Sequence, residues 1–192
     1  MIDVAIILGS TRPGRRAEPI ARWIHTIAGK RGDARFELVD IAEFRLPFLD
    51  EPTPAMMQKY TQPHTRKWAA KIESFDAFVF VTPEYNHGIS ASLKNAIDFL
   101  YREWNNKAAG FVGYGGGEGD GVEQLRFVMA EMQVATVRAQ VGLSLFTDFE
   151  NFHVFKPAPR REAAVTSMLD QLVAWGGALK AVRERQKELA MA

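Results

Sequence analysis

Five short apolar runs alternate with five stretches of helical periodicity along this chain. The apolar runs are predicted strands at residues 3–8, 35–40, 77–81, 108–113 and 136–141. The predicted helices cover approximately residues 18–30, 55–74, 90–101, 121–132 and 161–188. Continuous apolar strands are typical of sheets covered on both faces, and their alternation with helices favours parallel pairing. The pattern therefore predicts an α/β, doubly wound fold with ligands at the carboxyl ends of the first, third and fourth strands.

The length and composition of the chain limit its possible functions. Its 192 residues fit one domain, residues 1–192, and no apolar run approaches the roughly 20 residues that cross a membrane. A formal net charge of +1 gives no strong field for nucleic acid or for an anionic membrane. Because no signal-peptide pattern precedes the first strand, we expect a cytoplasmic protein. The absence of cysteine excludes thiolate chemistry and leaves any redox reaction to a bound cofactor.

The first predicted strand ends in a loop rich in hydroxyl groups, glycine and arginine. The loop reads Gly9-Ser10-Thr11-Arg12-Pro13-Gly14-Arg15-Arg16, and a predicted helix follows it. Backbone N–H groups at a helix N-terminus favour an anion, and the arginines add positive charge. The loop matches neither the Gly-x-x-x-x-Gly-Lys-Ser/Thr pattern nor the Gly-x-Gly-x-x-Gly pattern. It suits a single phosphate group; an ordinary turn with solvated arginines is the alternative.

The loops after the third and fourth predicted strands are also unusual. The third strand leads into Thr82-Pro83-Glu84-Tyr85-Asn86-His87-Gly88, which offers an aromatic face, an amide and backbone polar groups to a planar heteroaromatic ring. Taken alone, Tyr85 is better explained as a packed surface aromatic and His87 as a solvated histidine, but their position after a central strand favours a functional role. The fourth strand leads into a run with six glycines in the nine positions 113–121. Close approach of a flat ligand to the backbone explains so many glycines, and a flexible loop is the alternative.

Two further segments are irregular. Residues 46–54 are rich in proline and are predicted to form an extended loop at the rim of a site. Residues 144–159 contain four phenylalanines and two prolines, which favours a surface segment packed on the fold over a substrate lid.

Other kinds of active site have little support in the sequence. The four histidines have no short metal-ligand spacing, and cysteine ligands are absent, so a zinc or iron site is not expected. Ser10, Ser90 and Ser92 lack the Gly-x-Ser-x-Gly setting of a nucleophile elbow, which argues against a hydrolase.

Three sets of residues carry a family resemblance. They are Gly9-Ser10-Thr11-Arg12, then Thr82-Pro83-Glu84-Tyr85-Asn86 with Ser92-Leu93-Lys94-Asn95-Ala96-Ile97-Asp98, then Tyr114-Gly115-Gly116 with Glu123-Gln124-Leu125-Arg126. With these motifs the chain resembles the NAD(P)H-dependent FMN reductases, a flavodoxin-like group that includes quinone, chromate and azo-dye reductases. The resemblance covers roughly two-thirds of the chain. It implies a three-layer, flavodoxin-like fold with a five-stranded parallel sheet in the order 2-1-3-4-5.

The resemblance also implies a set of FMN-binding residues. Those for the phosphate are Ser10, Thr11 and Arg12, with help from Arg15; those for the isoalloxazine are Pro83, Glu84, Tyr85 and Asn86, with Gly115 and Gly116 at its other edge. The phosphate loop departs from some members of the family, which have serine in place of Arg15 and asparagine in place of Ala17. The charge of Arg15 would have to replace those contacts.

The activity implied by the resemblance is hydride transfer from NADPH or NADH through FMN to a small acceptor. The acceptor would be a flavin, a quinone, an azo compound or a metal oxyanion, bound in turn at the same cleft, and no catalytic side chain is required. The resemblance implies a homodimer or homotetramer, with Trp104 near an interface. Two alternatives stay open: an FMN-binding electron carrier and a non-enzymatic sensor. The balance of 24 basic and 23 acidic residues argues against a carrier that docks through an acidic surface.

Overall fold

A computed structural model describes residues 1–117 and 119–191 of the chain. Its five main strands are β1 (Ile2–Leu8), β2 (Ala34–Asp40), β3 (Ala77–Pro83), β4 (Lys107–Gly115) and β5 (Val134–Ser144). Two short strands follow, β6 (Phe149–Glu150) and β7 (Val154–Phe155). The helices are α1 (Ala17–Ala28), α2 (Pro63–Glu73), α3 (Ala91–Asp98), α4 (Val122–Glu131) and α5 (Arg160–Met191), with short 3₁₀ turns at Ile41–Phe44 and Ala55–Met57.

The main sheet has the order β2-β1-β3-β4-β5, and every neighbouring pair is parallel. The predicted fold class and strand order are therefore confirmed. β6 and β7 form a separate antiparallel hairpin between β5 and α5.

Helices cover both faces of the sheet, as the continuous apolar strands predict. Alternate residues of β1 point to opposite faces: Val4 and Ile6 pack with α1 and α5, whereas Ala5 and Ile7 pack with α2, α3 and α4. α1 and α3 therefore lie on opposite faces of the sheet. Trp104 was expected near an interface. It is instead fully buried on the face of the sheet that α2, α3 and α4 cover, and it donates its Nε1–H to the carbonyl of Ile97 at 3.2 Å.

One predicted helix, residues 55–74, is wrong in its first half. Only residues 55–57 form a 3₁₀ turn, which ends at Gln58 with a φ of 52°. The α-helix begins at Pro63, where the missing N–H is tolerated. The intervening chain is held extended by the carboxylate of Glu51, which accepts hydrogen bonds from the backbone N–H groups of Thr61 and Gln62 at 2.9 and 3.0 Å. This distant carboxylate supplies contacts that a helix would otherwise provide.

The connection between β5 and α5, residues 145–159, folds around a buried carboxylate. The side chain of Asp148 accepts hydrogen bonds from the backbone N–H groups of Ser144 and Ala158 and from the guanidinium of Arg161, at 2.9 to 3.2 Å. Burial by itself raises the pKa of Asp148, but these hydrogen bonds lower it overall. Phe149 is buried beneath the connection. The segment is packed on the fold, as the sequence favours, and it also reaches a cleft described below.

We predict that Asp148→Asn destabilises the protein by about 3 kcal/mol, because it leaves a largely buried guanidinium without its carboxylate. The matched control is Glu150→Gln, the same kind of change in an exposed ion pair with Lys156, for which we expect a loss of about 0.5 kcal/mol or less. Urea unfolding of both variants measures the difference. Equal losses would contradict an anchoring role for Asp148.

A second buried charge lies at the opposite end of the sheet. Lys107 is 2% exposed and donates hydrogen bonds to the carbonyls of Ile72 and Glu73 at 2.9 and 3.2 Å. These carbonyls end α2, where a cation is favoured by the helix dipole. Burial nevertheless lowers the pKa of Lys107 from 10.5 to about 8.

This shift predicts a pH-dependent stability. Between pH 8 and 10.5 the unfolded chain holds more protons than the native protein at Lys107, so the free energy of unfolding rises with pH. Lys107→Met removes that contribution. We expect the stability of the wild type relative to the variant to increase by roughly 1–3 kcal/mol across this interval. Urea unfolding of both proteins at several pH values checks it; a constant difference would show that Lys107 does not titrate in this range.

Candidate functional site

Two clefts flank the loop between β1 and α1 at the carboxyl edge of the sheet. The first, which we call the central cleft, has a volume of about 490 Å³. The second, which we call the side cleft, has a volume of about 530 Å³. The central cleft is the place where the loops after β1, β3 and β4 meet; its lining residues are Arg12, Pro13, Gly14, Arg15, Arg16, Pro83, Glu84, Tyr85, Tyr114, Gly115, Leu145, Phe152 and His153. The convergence of three predicted loops makes the central cleft the candidate site, although the side cleft is slightly larger.

The start of the β1–α1 loop is fixed by close packing against β3 and α3. A Cβ atom on Gly9 would lie 2.9 Å from the side chain of Leu93 and 3.0 Å from the carbonyl of Val81, so only glycine fits without a shift. The hydroxyl of Ser90, the residue that caps α3, donates to the carbonyl of Gly9. Ser10 follows and is 1% exposed; its hydroxyl accepts a hydrogen bond from the backbone N–H of Arg12 at 3.3 Å.

The three arginines of this loop have different partners. Arg15 forms a two-pronged ion pair with Asp40 at the end of β2 and donates to the carbonyl of Ser10 at 2.6 Å. Arg12 lies over the ring of Tyr85, with 6.0 Å between the guanidinium carbon and the ring centroid. Arg16 donates to the carbonyl of Gly14 at 3.0 Å.

Within residues 1–117 and 119–191, neither Arg12 nor Arg16 is paired with an acidic side chain. α1 begins at the same place, and in this part of the chain no side chain caps its N-terminal N–H groups. Two uncompensated positive charges and the positive end of a helix dipole therefore meet at one end of the central cleft, which favours an anion there.

The loop after β3 forms a tight turn that presents Tyr85 to the central cleft. The backbones of Tyr85 and Gly88 exchange hydrogen bonds at 2.8 and 2.9 Å. Asn86 and His87, between them, have φ angles of 52° and 62° and lie at the exposed tip of the turn. Glu84 accepts a hydrogen bond from the backbone N–H of His87 at 3.0 Å, which holds its carboxylate against the turn. Pro83, Glu84 and Tyr85 line the cleft, whereas Asn86 lies outside its lining.

Two glycines at the end of β4, Gly113 and Gly115, are explained by close packing within the chain itself. A Cβ atom on Gly113 would lie 2.6 Å from the carbonyl oxygen of Gly119, because the loop folds back onto the end of the strand. Gly115 lines the central cleft and packs against Glu84, where an added Cβ would lie 3.1 Å from its side chain. Gly116 is exposed, and an added Cβ would meet only the ring of Phe146 at 3.9 Å. Position 118 of this run lies outside the described residues.

Tyr114 was missed as a candidate by the sequence analysis. It is 5% exposed, is the last residue but one of β4 and lines the central cleft. Burial raises the pKa of Tyr114 well above its ordinary range and nearby Tyr85 adds to the rise, while the polar neighbours Ser10, Arg15 and the backbone of Ala17 act in the opposite direction. The phenol is therefore neutral at ordinary pH. It lies between the end of β4 and the β1–α1 loop, near Ser10 and Arg15. The only sequence signal was its place directly before Gly115.

A fourth wall of the central cleft comes from the β5–α5 connection. Leu145, Phe152 and His153 line it. The sequence marked this segment as irregular and rich in phenylalanine, but nothing in the sequence indicated that it reaches the phosphate loop. Arg16 makes that contact: its Nε–H donates to the carbonyl of Phe152 at 3.1 Å, and its Nη2 contacts Nδ1 of His153.

The side cleft is lined by Thr11, a predicted phosphate-binding residue, and by part of the predicted rim at residues 46–54. Its lining is mainly apolar and includes Leu46, Pro47 and Phe48. Asn95 holds this rim by donating to the carbonyl of Pro47 at 2.7 Å and accepting from the backbone N–H of Leu49 at 3.0 Å. Thr11 therefore lies on the far side of the loop from the central cleft.

No helix in residues 1–117 and 119–191 is long and apolar enough to span a bilayer. The same residues contain no group of three histidine or acidic side chains placed to hold a metal ion.

The sequence is similar to those of known proteins. Residues 2–148 match the family model described as NADPH-dependent FMN reductase. The "NAD(P)H-dependent FMN reductase ntnL" of Nectria sp is 38% identical over 159 residues, covering 77% of this chain and 79% of the relative. The "NAD(P)H:quinone oxidoreductase" of Solanum tuberosum is 43% identical over 128 residues, covering 65% of this chain and 64% of the relative.

A solved structure supports the fold. The flavoenzyme NAD(P)H:(acceptor) oxidoreductase FerB from Paracoccus denitrificans superposes with a TM-score of 0.70 at 19% identity, covering 93% of this chain and 98% of that one. Together with the family model, which matches most of the sequence, these similarities lead to one conclusion: the chain belongs to the NADPH-dependent FMN reductase family.

Proposed function

We propose that this protein is an FMN-dependent oxidoreductase that takes hydride from NAD(P)H and passes it to a small oxidised acceptor, with FMN held in the central cleft. The observation that carries the proposal is the meeting, in one cleft, of an aromatic and glycine-lined wall with two arginines at the N-terminus of α1 that have no acidic partner among the described residues. When bound, FMN would supply the hydride chemistry, and the protein would supply binding, orientation and electrostatics.

The residues of the central cleft fit this cofactor in size and in chemistry. A volume of about 490 Å³ is in the usual range for a small-molecule site, roughly 300–1,000 Å³. One end of the cleft is cationic, as a phosphate group requires. The adjoining part of the cleft, which we call the ring end, combines the ring of Tyr85, under the guanidinium of Arg12, with the backbone of Gly115, which suits a flat heteroaromatic ring.

At the phosphate end, the residues act in two ways. Arg12 and Arg16 have no acidic partner among residues 1–117 and 119–191, so their charges are available to a phosphate. Arg15 is already neutralised by Asp40, and we assign it to holding the loop in shape through the carbonyl of Ser10. Ser10 is buried, so its contribution to phosphate binding would come through the loop conformation, and Thr11 remains a proposed ligand on the opposite side.

At the ring end, Pro83, Glu84, Tyr85 and Gly115 would line the isoalloxazine, and Tyr114 joins them as a residue of the same wall. Asn86 and Gly116 remain proposed contacts at the exposed margin of the cleft. No side chain is needed as a catalytic acid or base, because FMN, when bound, would supply the hydride chemistry.

We propose a quinone or a free flavin as the acceptor, bound after the nicotinamide product leaves the same cleft. The quinone oxidoreductase from potato among the relatives supports this class of acceptor. A cytoplasmic location and a homodimeric or homotetrameric assembly remain predictions from the sequence and its resemblance.

The first prediction of this proposal concerns the purified protein after saturation with FMN and desalting. We expect the visible flavin bands to be retained and to bleach when NADPH is added without oxygen. Bands that persist in the presence of NADPH would favour the electron carrier or the sensor. Loss of the flavin on desalting would indicate that FMN is a substrate that exchanges or that it is not a ligand.

The second prediction concerns the phosphate end of the cleft. Arg12→Ala should weaken FMN binding by about tenfold or more, because a charge-assisted contact contributes roughly 1.5–3 kcal/mol. Arg138→Ala is the matched control, since Arg138 is an exposed arginine of β5 that lies outside the linings of both clefts. Quenching of flavin fluorescence gives the dissociation constants, and thermal unfolding followed by circular dichroism tests the fold. Equal FMN affinities in the two variants would remove Arg12 from the phosphate site.

A further inference from the structure

The tip of the β6–β7 hairpin contains a bulky residue in a conformation that favours glycine. The hairpin pairs Phe149 with Phe155 and Glu150 with Val154. Three residues lie between the strands, and the backbone N–H of His153, the last of them, donates to the carbonyl of Glu150 at 3.0 Å. The two central residues of this turn, Asn151 and Phe152, have φ angles of 51° and 59°. Such turns need positive φ at both positions, and asparagine followed by glycine is the favoured pair. Asn151 suits the first position, whereas Phe152 occupies the second at a cost in backbone energy.

Packing in the core does not account for this phenylalanine. Phe152 is 53% exposed, and it is one of the residues that line the central cleft. Its ring meets the ring of Phe146 edge to face, with centroids 5.4 Å apart and an interplanar angle of 85°. Phe146 is 68% exposed and lies beside Gly116 at the end of β4. We call Phe146 and Phe152 the aromatic rim.

The aromatic rim is held from both ends of the hairpin. At the base, the buried ion pair of Asp148 with Arg161 fixes the connection to the fold. At the tip, Arg16 donates to the carbonyl of Phe152 at 3.1 Å and contacts Nδ1 of His153. Because a guanidinium only donates, this nitrogen of His153 must be the acceptor. The same loop that presents positive charge to the cleft thus sets the position of the rim.

We propose that the aromatic rim contacts the planar ring of the molecule that exchanges hydride at the central cleft, and that Phe152 thereby determines the affinity for this second substrate. This inference rests on the proposed function. The nicotinamide ring of NAD(P)H and a quinone share the chemistry that the rim recognises, a flat conjugated ring with an apolar face. The strained backbone of Phe152 does not bury its ring in the core. Such strain is typical of residues that serve binding, and we assign it to that role here.

Phe152→Gly separates these roles. Glycine relieves the positive φ, so we expect the variant to be at least as stable as the wild type in thermal unfolding. FMN affinity should stay within about twofold of the wild type. The concentration of NADPH or of 1,4-benzoquinone that half-saturates its half-reaction should rise about fivefold, with the limiting rate little changed. Phe152→Tyr keeps the ring and should restore the affinity.

The measurements use FMN-loaded protein in rapid mixing, with flavin reduction by NADPH and reoxidation by 1,4-benzoquinone followed separately. Calorimetric binding of NADP⁺ to the oxidised protein gives a readout that involves no turnover. Phe127→Ala is the matched control, because Phe127 is 79% exposed on α4 and lies outside the lining of the central cleft. A change in one half-reaction identifies which ring the rim contacts, and changes in both show that it serves the two substrates in turn.

Three results would overturn the inference. They are unchanged half-saturation in both half-reactions, a loss of FMN affinity without a change in either, and a change in oligomeric mass without a change in either. The second would assign Phe152 to the cofactor cradle, and the third to an interface between copies of the chain. Failure of the proposed function appears instead in the wild type, as absence of flavin binding or of NADPH oxidation, and the inference then falls with it.

Discussion

The position of β1 between β2 and β3 is the constraint on which the site depends. The chain leaves β1 towards α1 on one face of the sheet and leaves β3 towards α3 on the other. Because the two connections diverge, a crevice opens at the carboxyl ends of these neighbouring strands. The close packing of Gly9 against Val81 and Leu93 shows how tightly the two connections meet at the base of that crevice. Any ligand that enters contacts both loops.

Charge in the crevice is distributed by one ion pair. Asp40 neutralises Arg15 and also caps the turn after β2, where it accepts a hydrogen bond from the backbone N–H of Ala42 at 2.9 Å. The pair ties the end of β2 to the β1–α1 loop. With Arg15 committed in this way, the positive potential of the central cleft comes from Arg12, Arg16 and the N-terminus of α1. The loop thus has a rigid part that sets its shape and a charged part that faces the cleft.

The sequence predicted those features that depend on local pattern. Apolar runs located all five main strands, and the edge of the sheet where the loops meet followed from the parallel order. The helix at 55–74 was wrong because Glu51, distant in sequence, holds residues 61 and 62 in an extended form. Tyr114 and Phe152 were missed for a similar reason: whether an aromatic side chain enters a cleft depends on long-range packing. The backbones of Gly113 and Gly119 pack so closely that neither position has room for a side chain, a contact that composition alone does not reveal.

The fourth wall of the cleft is formed by the connection that leads from the edge strand β5 back to α5 near the centre of the sheet. β5 is the edge strand farthest from β2, yet α5 packs on the same face of the sheet as α1. The connection from β5 to α5 must therefore cross the carboxyl edge towards the start of α1, and the ring of Phe155 packs edge-on against Trp23 of α1 at 5.4 Å. The ion pair of Asp148 with Arg161 fixes the base of this crossing. The hairpin tip lies beside Arg16, which donates to the carbonyl of Phe152. The cleft formed by the loops after β1, β3 and β4 thus acquires a fourth wall from residues that lie outside the main sheet.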